Sequence, residues 1–245
     1  MRVNFNLIAY RSLDVCNALD METVEQAVAR AGLTKGASAL DIGCGNGAVA
    51  AMLARRFALT VRAVERDPAM AALARERTAG SGAMVVEAGS EAVLADLPPQ
   101  DLIVVIGATE AAAAGLRDPR AVFERLRDHL KPGGHLLWGD LFWAAEPPDP
   151  LRMIVEATNT YLTHDGWQLA ARDAGFEVVS ADISSPETWD RYTAAMDAAA
   201  RDWLATNPDA PEAPGVRASA GRVKTMFDFG RPYLGFGLYL LRRPD

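Results

Sequence analysis

The stretch ALDIGCGNG, residues 39–47, constrains the fold of this chain more than any other part of its sequence. The apolar run at residues 38–42 predicts a short strand, and apolar residues at spacings of three and four after it predict a helix. Gly43, Gly45 and Gly47 lie directly between these elements, where glycine can adopt positive φ and let the backbone approach a ligand. The stretch therefore predicts a strand, a tight turn and a helix whose N-terminus faces a nucleotide-like ligand.

The same alternation of strand and helix continues along the chain. Six further apolar runs predict strands, at residues 61–65, 84–87, 101–106, 135–139, 176–181 and 233–241. The run DLIVVI at 101–106 is apolar on both faces, which is typical of a central parallel strand. Helical spacing between the strands predicts crossover helices on both faces of a sheet. The pattern predicts an α/β fold with a Rossmann-like, doubly wound sheet.

Other parts of the chain are less regular. The segment before residue 18 is predicted to be irregular, and residues 130–134 (LKPGG) are predicted to form a turn after a helix. Residues 207–215 (NPDAPEAPG) are rich in Pro and Gly and predict a linker. A helical piece is predicted around Thr158. A longer helix is predicted from Ser185 onward.

Charge and cysteine content restrict the expected partners and location. The 245 residues carry 25 Lys and Arg against 32 Asp and Glu, and no basic cluster could follow a phosphate backbone, so we expect no nucleic-acid partner. The two cysteines, Cys16 and Cys44, give no disulfide framework. A signal-peptide core and an apolar run of about 18 residues are both missing, so we expect a cytoplasmic protein without a membrane span. The oligomeric state stays open.

Two acidic residues flank the glycine turn. Glu65 ends the second strand, about twenty residues after the turn, where a doubly wound fold places an acid that accepts both ribose hydroxyls. Asp41 lies within the first strand, and a carboxylate that is nearly buried there needs a partner. A cationic amino group of the ligand would provide that partner.

A dinucleotide fingerprint is an alternative interpretation of the turn. Gly43, Gly45 and Ala48 match G-x-G-x-x-G/A, which would indicate an NAD(P)-dependent oxidoreductase. However, no Tyr-x-x-x-Lys sequence occurs in the chain, and Asp41 would face the pyrophosphate of a dinucleotide. The sequence therefore favours a different nucleotide-like ligand.

The stretch from Leu40 to Gly47 resembles the first motif of class I S-adenosylmethionine (SAM)-dependent methyltransferases. Glu65, the LKPGG turn and the Gly-rich closing strand agree with this resemblance. It implies SAM as cofactor and a seven-stranded sheet, mostly parallel, whose last strand is inserted antiparallel between strands five and six. It also implies one domain over residues 1–245, made of an N-terminal cap (1–34), a SAM-binding core (35–140), the sixth strand with helical lid insertions (141–232) and the last strand (233–242).

Three shorter strings suggest a branch within that family. The strings IGAT (106–109), WDRY (189–192) and LGFG (234–237) resemble a small-molecule branch related to the ubiquinone/menaquinone-type methyltransferases. The resemblance implies methyl transfer to a small-molecule acceptor. A protein that binds SAM without catalysis is an alternative, because methyl transfer is an in-line displacement that requires no covalent residue.

The resemblance and the spacing together assign a set of residues to the cofactor. They are Asp41, Gly43, Cys44, Gly45, Asn46, Gly47, Glu65, Arg66, Gly89, Ser90, Glu91, Ile106, Gly107 and Ala108. One of them departs from the family pattern, since Ser90 stands where an Asp often contacts the adenine amino group. Ser90, the main chain or Glu91 would have to replace that contact.

Two residues are candidates for handling the acceptor. Glu110 follows the fourth strand, on the side expected for the methionine end of the cofactor, and is the first candidate for a general base. Its alternative role is that of an exposed carboxylate at a helix start. Tyr10 is a candidate for positioning either ligand, and its alternative role is packing.

Aromatic residues and one histidine on the insertions are candidates for the substrate pocket. They are Trp143, Tyr161, His164, Trp189 and Tyr192. They could form a lid or a cation cage. Trp189 and Tyr192 also fit a helix-packing stripe, and for these two residues we favour a core position. With three histidines in the chain, none near a second ligand, we expect no metal site.

Overall fold

The computed structural model describes residues 4–157 and 159–245. Within this part of the chain, strands form one mixed sheet in the order β3-β2-β1-β4-β5-β7-β6. The strands are β1 Ser38–Ile42, β2 Thr60–Glu65, β3 Met84–Glu87, β4 Gln100–Ile106, β5 Leu130–Trp143, β6 Glu177–Ile183 and β7 Leu234–Arg242. β7 pairs antiparallel with both β5 and β6, whereas the other pairs are parallel. The predicted fold class is confirmed, including the antiparallel last strand.

Helices cover both faces of the sheet. They are α1 Phe5–Tyr10, α2 Met21–Arg30, α3 Ala48–Arg56, α4 Pro68–Thr78, α5 Ser90–Asp96, α6 Thr109–Ala113, α7 Pro119–Asp128, α8 Asp149–Val155, α9 His164–Asp173, α10 Pro186–Thr206 and α11 Ala213–Gly230. Asp67 and Asp118 cap α4 and α7, each directly before a proline at the first helical turn. No helix in the described ranges is long and apolar enough to cross a membrane.

The N-terminal segment is not wholly irregular, because it contains α1. The side chain of Asn4 accepts the N–H of Leu7 at 2.8 Å and donates to Asp67 at 3.0 Å, which starts this short helix and ties it to α4. Phe5, Leu7 and Ala9 are buried. A helix of six residues is marginal in isolation, so these tertiary contacts stabilise a helix that local periodicity does not predict.

Two further expectations about irregular segments are wrong in part. The linker predicted at 207–215 is shorter, because α11 begins at Ala213 and Pro214 lies in its first turn, where proline is tolerated. The turn predicted at 130–134 belongs to β5, since Leu130 already pairs with Gln100 and the chain bulges before His135 pairs with Leu102. Thr158, the centre of a predicted helical piece, lies outside the described residues.

The sheet separates two apolar layers of buried side chains. On β4, Leu102 and Val104 join the cluster on one face, whereas Ile103 and Val105 join the cluster on the other. All four side chains are fully buried, as predicted for a central parallel strand. Ligand sites in such folds lie beyond the carboxyl ends of the strands, where the order of the strands reverses. Here the reversal falls between β1 and β4.

Candidate active site

An open cleft of about 680 Å³ lies at the carboxyl ends of β1, β2 and β4. Both acceptor-handling candidates, Tyr10 and Glu110, line this cleft. So do most of the predicted cofactor residues, namely Gly43, Gly45, Glu65, Arg66, Gly89, Ser90, Glu91, Ile106, Gly107 and Ala108. The fold thus brings together residues from five separate stretches of the sequence.

The glycine turn is fixed by the backbone of β2. The N–H groups of Gly43 and Cys44 both donate to the carbonyl of Val64, at 2.9 and 3.0 Å. Gly43 has φ +68°, and a Cβ there would lie 2.5 Å from the Cβ of Ala108. Only glycine allows this approach of the turn to the loop after β4, and the bare backbone leaves the cleft floor open.

Glu65 faces the turn from the end of β2. Its Oε2 accepts the N–H of Gly45 at 3.1 Å, and its Oε1 accepts the N–H of Asp67 at 2.9 Å. Burial raises the pKa of Glu65, while these backbone N–H donors oppose the rise. Each carboxylate oxygen has a second lone-pair site, so Glu65 can still accept two hydroxyl groups of a ligand in the cleft.

Asp41 is a buried carboxylate with one oxygen that has no partner among the described residues. It lies beside a small void that Cys16, Asn17 and Gly43 also line, next to the main cleft. Burial, and then the charge of Glu65, raises the pKa of Asp41 to about 7. An ammonium group placed there would satisfy the free oxygen and favour the ionised form.

Four predicted cofactor residues do not line the main cleft, and the buried Asp41 is one of them. Cys44 and Asn46 line the small void beside Asp41, and Gly47 begins α3 with φ +78°. Asn46 is an anchor for the N-terminal segment, because its Nδ2 donates to the carbonyls of Tyr10 at 2.9 Å and Leu13 at 2.7 Å. Its Oδ1 accepts the N–H of Ala48 at 3.0 Å.

Asn17 is a cleft residue that the sequence analysis missed. Its Nδ2 donates to the carbonyl of Ile106 at 3.1 Å, and its side chain packs against the bare Cα of Gly107. Gly107 has φ +63°, and any Cβ there would collide with Asn17. The N-terminal segment thereby closes one end of the cleft. A single Asn in an irregular segment carries no pattern that could have identified it.

The wall expected to face adenine is arranged around Ser90. Its hydroxyl donates to the carbonyl of Ala111, so it ties the start of α5 to α6. Ser90 is buried, whereas Glu91 on the same wall is exposed. The hydroxyl hydrogen of Ser90 is therefore engaged within the protein, and its oxygen can act toward a ligand only as an acceptor.

Glu110 is held by an ion pair. Its Oε1 lies 3.0 Å from Nη2 of Arg66, which directly follows the ribose-side candidate Glu65. Both side chains are more than half exposed, so water screens the pair. The carboxylate of Glu110 therefore connects two walls of the cleft and faces the β2 side.

A second cavity of about 220 Å³ is lined by residues of the segment 12–21 and of α10. Asn17 lines both this cavity and the main cleft, and Tyr192 lines the second cavity. The hydroxyl of Tyr192 donates to the carbonyl of Cys16 at 3.4 Å, and it lies close to the hydroxyl of Tyr10. Burial raises the pKa of both tyrosines, so both phenols are neutral at physiological pH.

The remaining substrate candidates lie away from the main cleft. Trp143 is buried and its Nε1 donates to Glu156 at 2.9 Å. His164 lies 3.1 Å from the hydroxyl of Tyr239, and Tyr161 is half-buried between the two core layers. Trp189 is buried edge-on against Phe227, with ring centroids 5.7 Å apart. Across residues 4–157 and 159–245, no group of three or more His, Cys, Asp and Glu could hold a metal ion.

Comparisons with known proteins agree with this geometry. Residues 40–136 match the family described as a methyltransferase domain. The uncharacterized protein YjhP of Escherichia coli is 30% identical over 216 residues, which cover 84% of each chain.

Two crystal structures of SAM-dependent methyltransferases, both in complex with S-adenosyl-L-homocysteine (SAH), have the same fold. The protein from Geobacter sulfurreducens shares 24% identity with a TM-score of 0.84, over 98% of both chains. The protein from Thiobacillus denitrificans shares 25% identity with a TM-score of 0.82, over 98% of this chain and 99% of that one.

Proposed function

This chain belongs to the SAM-dependent methyltransferases, with SAM as its cofactor, and we propose that its methyl acceptor is a small molecule. The single observation that carries the proposal is the cleft at the carboxyl ends of β1, β2 and β4, which Glu65 lines and beside which the buried carboxylate of Asp41 borders an adjoining void. Family membership favours methyl transfer over the alternatives of an NAD(P)-dependent oxidoreductase and a non-catalytic binder.

The proposed placement of the cofactor follows from the charges in the cleft. The ammonium of its methionine part pairs with the free oxygen of Asp41, and its ribose hydroxyls donate to Glu65. The adenine lies against the wall of Ser90 and Glu91, where the main chain and these two side chains offer polar contacts. Asn17 and Gly107 then enclose the methionine end.

When bound, SAM supplies an electrophilic methyl group, and the protein has to align the acceptor with it and exclude water. In this proposal Tyr10 orients the acceptor, because its hydroxyl meets that of Tyr192 where the cleft and the second cavity approach each other. We assign Glu110 to linking two walls of the cleft through Arg66, because its carboxylate points toward the β2 side.

The second cavity supports a small acceptor. Its volume of about 220 Å³ is below the usual range for drug-sized ligands, so it fits a compact molecule or one end of a longer one. Of its charged lining residues, Arg191 is paired with Asp20 at 2.7 Å, and Asp14 is exposed. This lining favours a neutral or cationic acceptor over a polyanion.

Two finer points belong to the same proposal. The strings IGAT, WDRY and LGFG support a place in the small-molecule branch related to the ubiquinone/menaquinone-type enzymes. The two cysteines, Cys16 and Cys44, are free thiols, which supports a cytoplasmic location. Neither point is needed for the assignment of the cofactor.

A labelled-methyl experiment tests the acceptor. The protein is incubated with SAM carrying an isotopically labelled methyl group and with three fractions of a cell extract: small molecules, protein and nucleic acid. We expect the label in the small-molecule fraction, identified by mass spectrometry, and about tenfold less of it with the matched Glu65→Gln variant when SAM is kept below its dissociation constant. Label that enters only protein or nucleic acid would overturn the small-molecule assignment. Calorimetry with SAM and with NAD tests the cofactor, for which we expect binding of SAM alone.

A further inference from the structure

A fully buried carboxylate, Asp140, lies near the carboxyl end of β5 and outside the cofactor cleft. Its Oδ1 accepts the N–H of Leu141 at 2.7 Å, and its Oδ2 accepts the hydroxyl of Thr109. Burial raises the pKa of Asp140 to about 6, and the two hydrogen bonds oppose that rise. Asp140 is therefore mostly ionised at pH 7.5. A buried carboxylate lowers the stability of the fold unless its hydrogen bonds offset the loss of water.

The partner of Asp140 belongs to the loop that lines the cofactor cleft. Thr109 is the first residue of α6, and the two residues before it, Gly107 and Ala108, line the cleft. Ala108, at the N-cap of α6, has no side chain that could accept a backbone N–H of the helix, and the helix has only five residues. The segment 106–111, here named the cofactor loop, thus lacks the local contacts that would hold it in place by itself.

Hydrogen bonds from other elements hold the cofactor loop instead. The N–H of Gly107 donates to the carbonyl of Gly139 on β5 at 2.7 Å. Asn17 holds the start of the loop and Ser90 holds its end. Among these hydrogen bonds, the one from Thr109 to Asp140 has a buried carboxylate as its acceptor. Hydrogen bonds to charged groups are stronger than those between neutral groups.

Asp140 also faces the lid half of the molecule. Burial, and then the charge of Asp140, raises the pKa of Tyr161, whose hydroxyl accepts a hydrogen bond from Asn159 at 3.4 Å. The charge of Asp140 raises the pKa of Tyr239 in the same way, again after burial. One carboxylate therefore touches the cofactor loop and lies close to Tyr161 of the lid and to Tyr239 of β7.

We propose that Asp140 is a positioning residue for methyl transfer: through the hydroxyl of Thr109 it holds the cofactor loop in the place that receives the methionine end of SAM. Asp140 itself contacts neither cofactor nor acceptor. The inference rests on the proposed placement of the cofactor, and it does not depend on which acceptor is used.

The test compares Thr109→Val with Thr109→Ser. Valine keeps the shape of threonine but removes the hydroxyl, so the cofactor loop loses its bond to Asp140. We expect the affinity for SAH, measured by calorimetry, to fall about tenfold, as for a lost hydrogen bond to a charged group. Hydrogen exchange of the amides at 107–112 should become faster in the ligand-free protein. Thr109→Ser should restore both values to within about twofold of the wild type.

Ser38→Ala is the matched control. The hydroxyl of Ser38 donates to the carboxylate of Asp101 at 2.7 Å, so this pair also joins a hydroxyl to a carboxylate. It lies at the amino ends of β1 and β4, at the opposite edge of the sheet from the cleft. This variant should leave SAH affinity and exchange in the cofactor loop unchanged. Asp140→Asn is a second test, because asparagine can still accept from Leu141 and can donate to the hydroxyl of Thr109. It should keep SAH affinity within about threefold of the wild type.

Two results would overturn the inference. One is unchanged SAH affinity and unchanged exchange in the cofactor loop of Thr109→Val. This result would overturn the inference even if the variant melted at a lower temperature. The other is a large loss of SAH affinity in Asp140→Asn with normal exchange, which would show that the charge acts on the ligand directly. Exchange is measured without ligand, so it tests the hold on the loop even if the wild-type protein failed to bind SAH. That failure would contradict the proposed function alone.

Discussion

The cofactor half of this molecule, residues 35–140, and its lid half, residues 141–232, use their characteristic residues differently. In the cofactor half Gly43, Gly45 and Glu65 line open space, and the backbone itself forms the floor of the cleft. In the lid half the aromatic residues Trp143 and Trp189 are buried among other side chains. The comparison indicates that a turn with strict backbone demands points to a candidate ligand site, whereas aromatic residues in the insertions point first to packing.

The largest effect that we expect is on the free energy of unfolding, and it tests the packing role of the lid aromatic residues. Trp189 is 3% exposed, so Trp189→Ala should lower the free energy of unfolding by about 3–5 kcal/mol, because it leaves a cavity in the lid core. Chemical denaturation measures the loss. Trp203→Ala is the matched control, since Trp203 lies on the same helix but is only half-buried. Near-wild-type stability of Trp189→Ala would contradict its assignment to the core and return it to the substrate candidates.

A smaller effect is expected on the cofactor side, and it should appear in binding. Glu65→Gln removes the carboxylate that accepts N–H groups from Gly45 and Asp67, and glutamine presents a donor to one of them. We expect SAH affinity to fall by about tenfold or more, from the loss of hydrogen bonds to a charged group.

Glu87→Gln controls for the loss of a charge at a strand end. Glu87 pairs with Glu65 in register on the neighbouring strand β3 and forms an exposed ion pair with Arg75. Its variant should bind SAH within about twofold of the wild type, because exposed ion pairs contribute little. Equal losses in both variants would remove the proposed role of Glu65 in holding the ribose.

The smallest effect is expected at Glu110, which lines the cleft and pairs with Arg66 in the same half. Glu110→Gln breaks an exposed ion pair with Arg66, which is worth about 0–1 kcal/mol. Methyl transfer to the acceptor found in the labelling experiment should therefore change by less than about fivefold. A loss of a hundredfold or more is the size expected when a general base is removed, and it would restore Glu110 to that role.

Much of the cofactor half could be predicted from the sequence because its determinants are local. The strand with Asp41, the glycines after it and the acid Glu65 at the end of the next strand stand within one strand–helix–strand unit. Their types are dictated by backbone conformation and by buried charge. Apolar runs also predict the strands. The clearest case is β4, whose burial on both faces requires a continuous apolar run.

The remainder depends on contacts between distant residues, which periodicity does not encode. Asn17 belongs to the cleft only because the N-terminal segment crosses the end of β4. Asn46 anchors that segment and does not line the cleft, although it lies within the motif. Asp140 did leave a signal, because an acid directly after the apolar run HLLWG repeats the placement of Asp41, but the identity of its partner Thr109 needed the fold.

The most direct test of the account is the pH dependence of SAH binding. Because the pKa of Asp41 is raised to about 7, the ligand-free protein holds a proton there at pH 6, and an ammonium ligand has to displace it. The dissociation constant for SAH, measured by calorimetry, should therefore rise roughly tenfold from pH 7.5 to pH 6.0. In Asp41→Asn the affinity at pH 7.5 should be at least about tenfold weaker, and most of the pH dependence should be gone. A wild-type dissociation constant that is flat over this range, together with normal binding by Asp41→Asn, would contradict the placement of the cofactor.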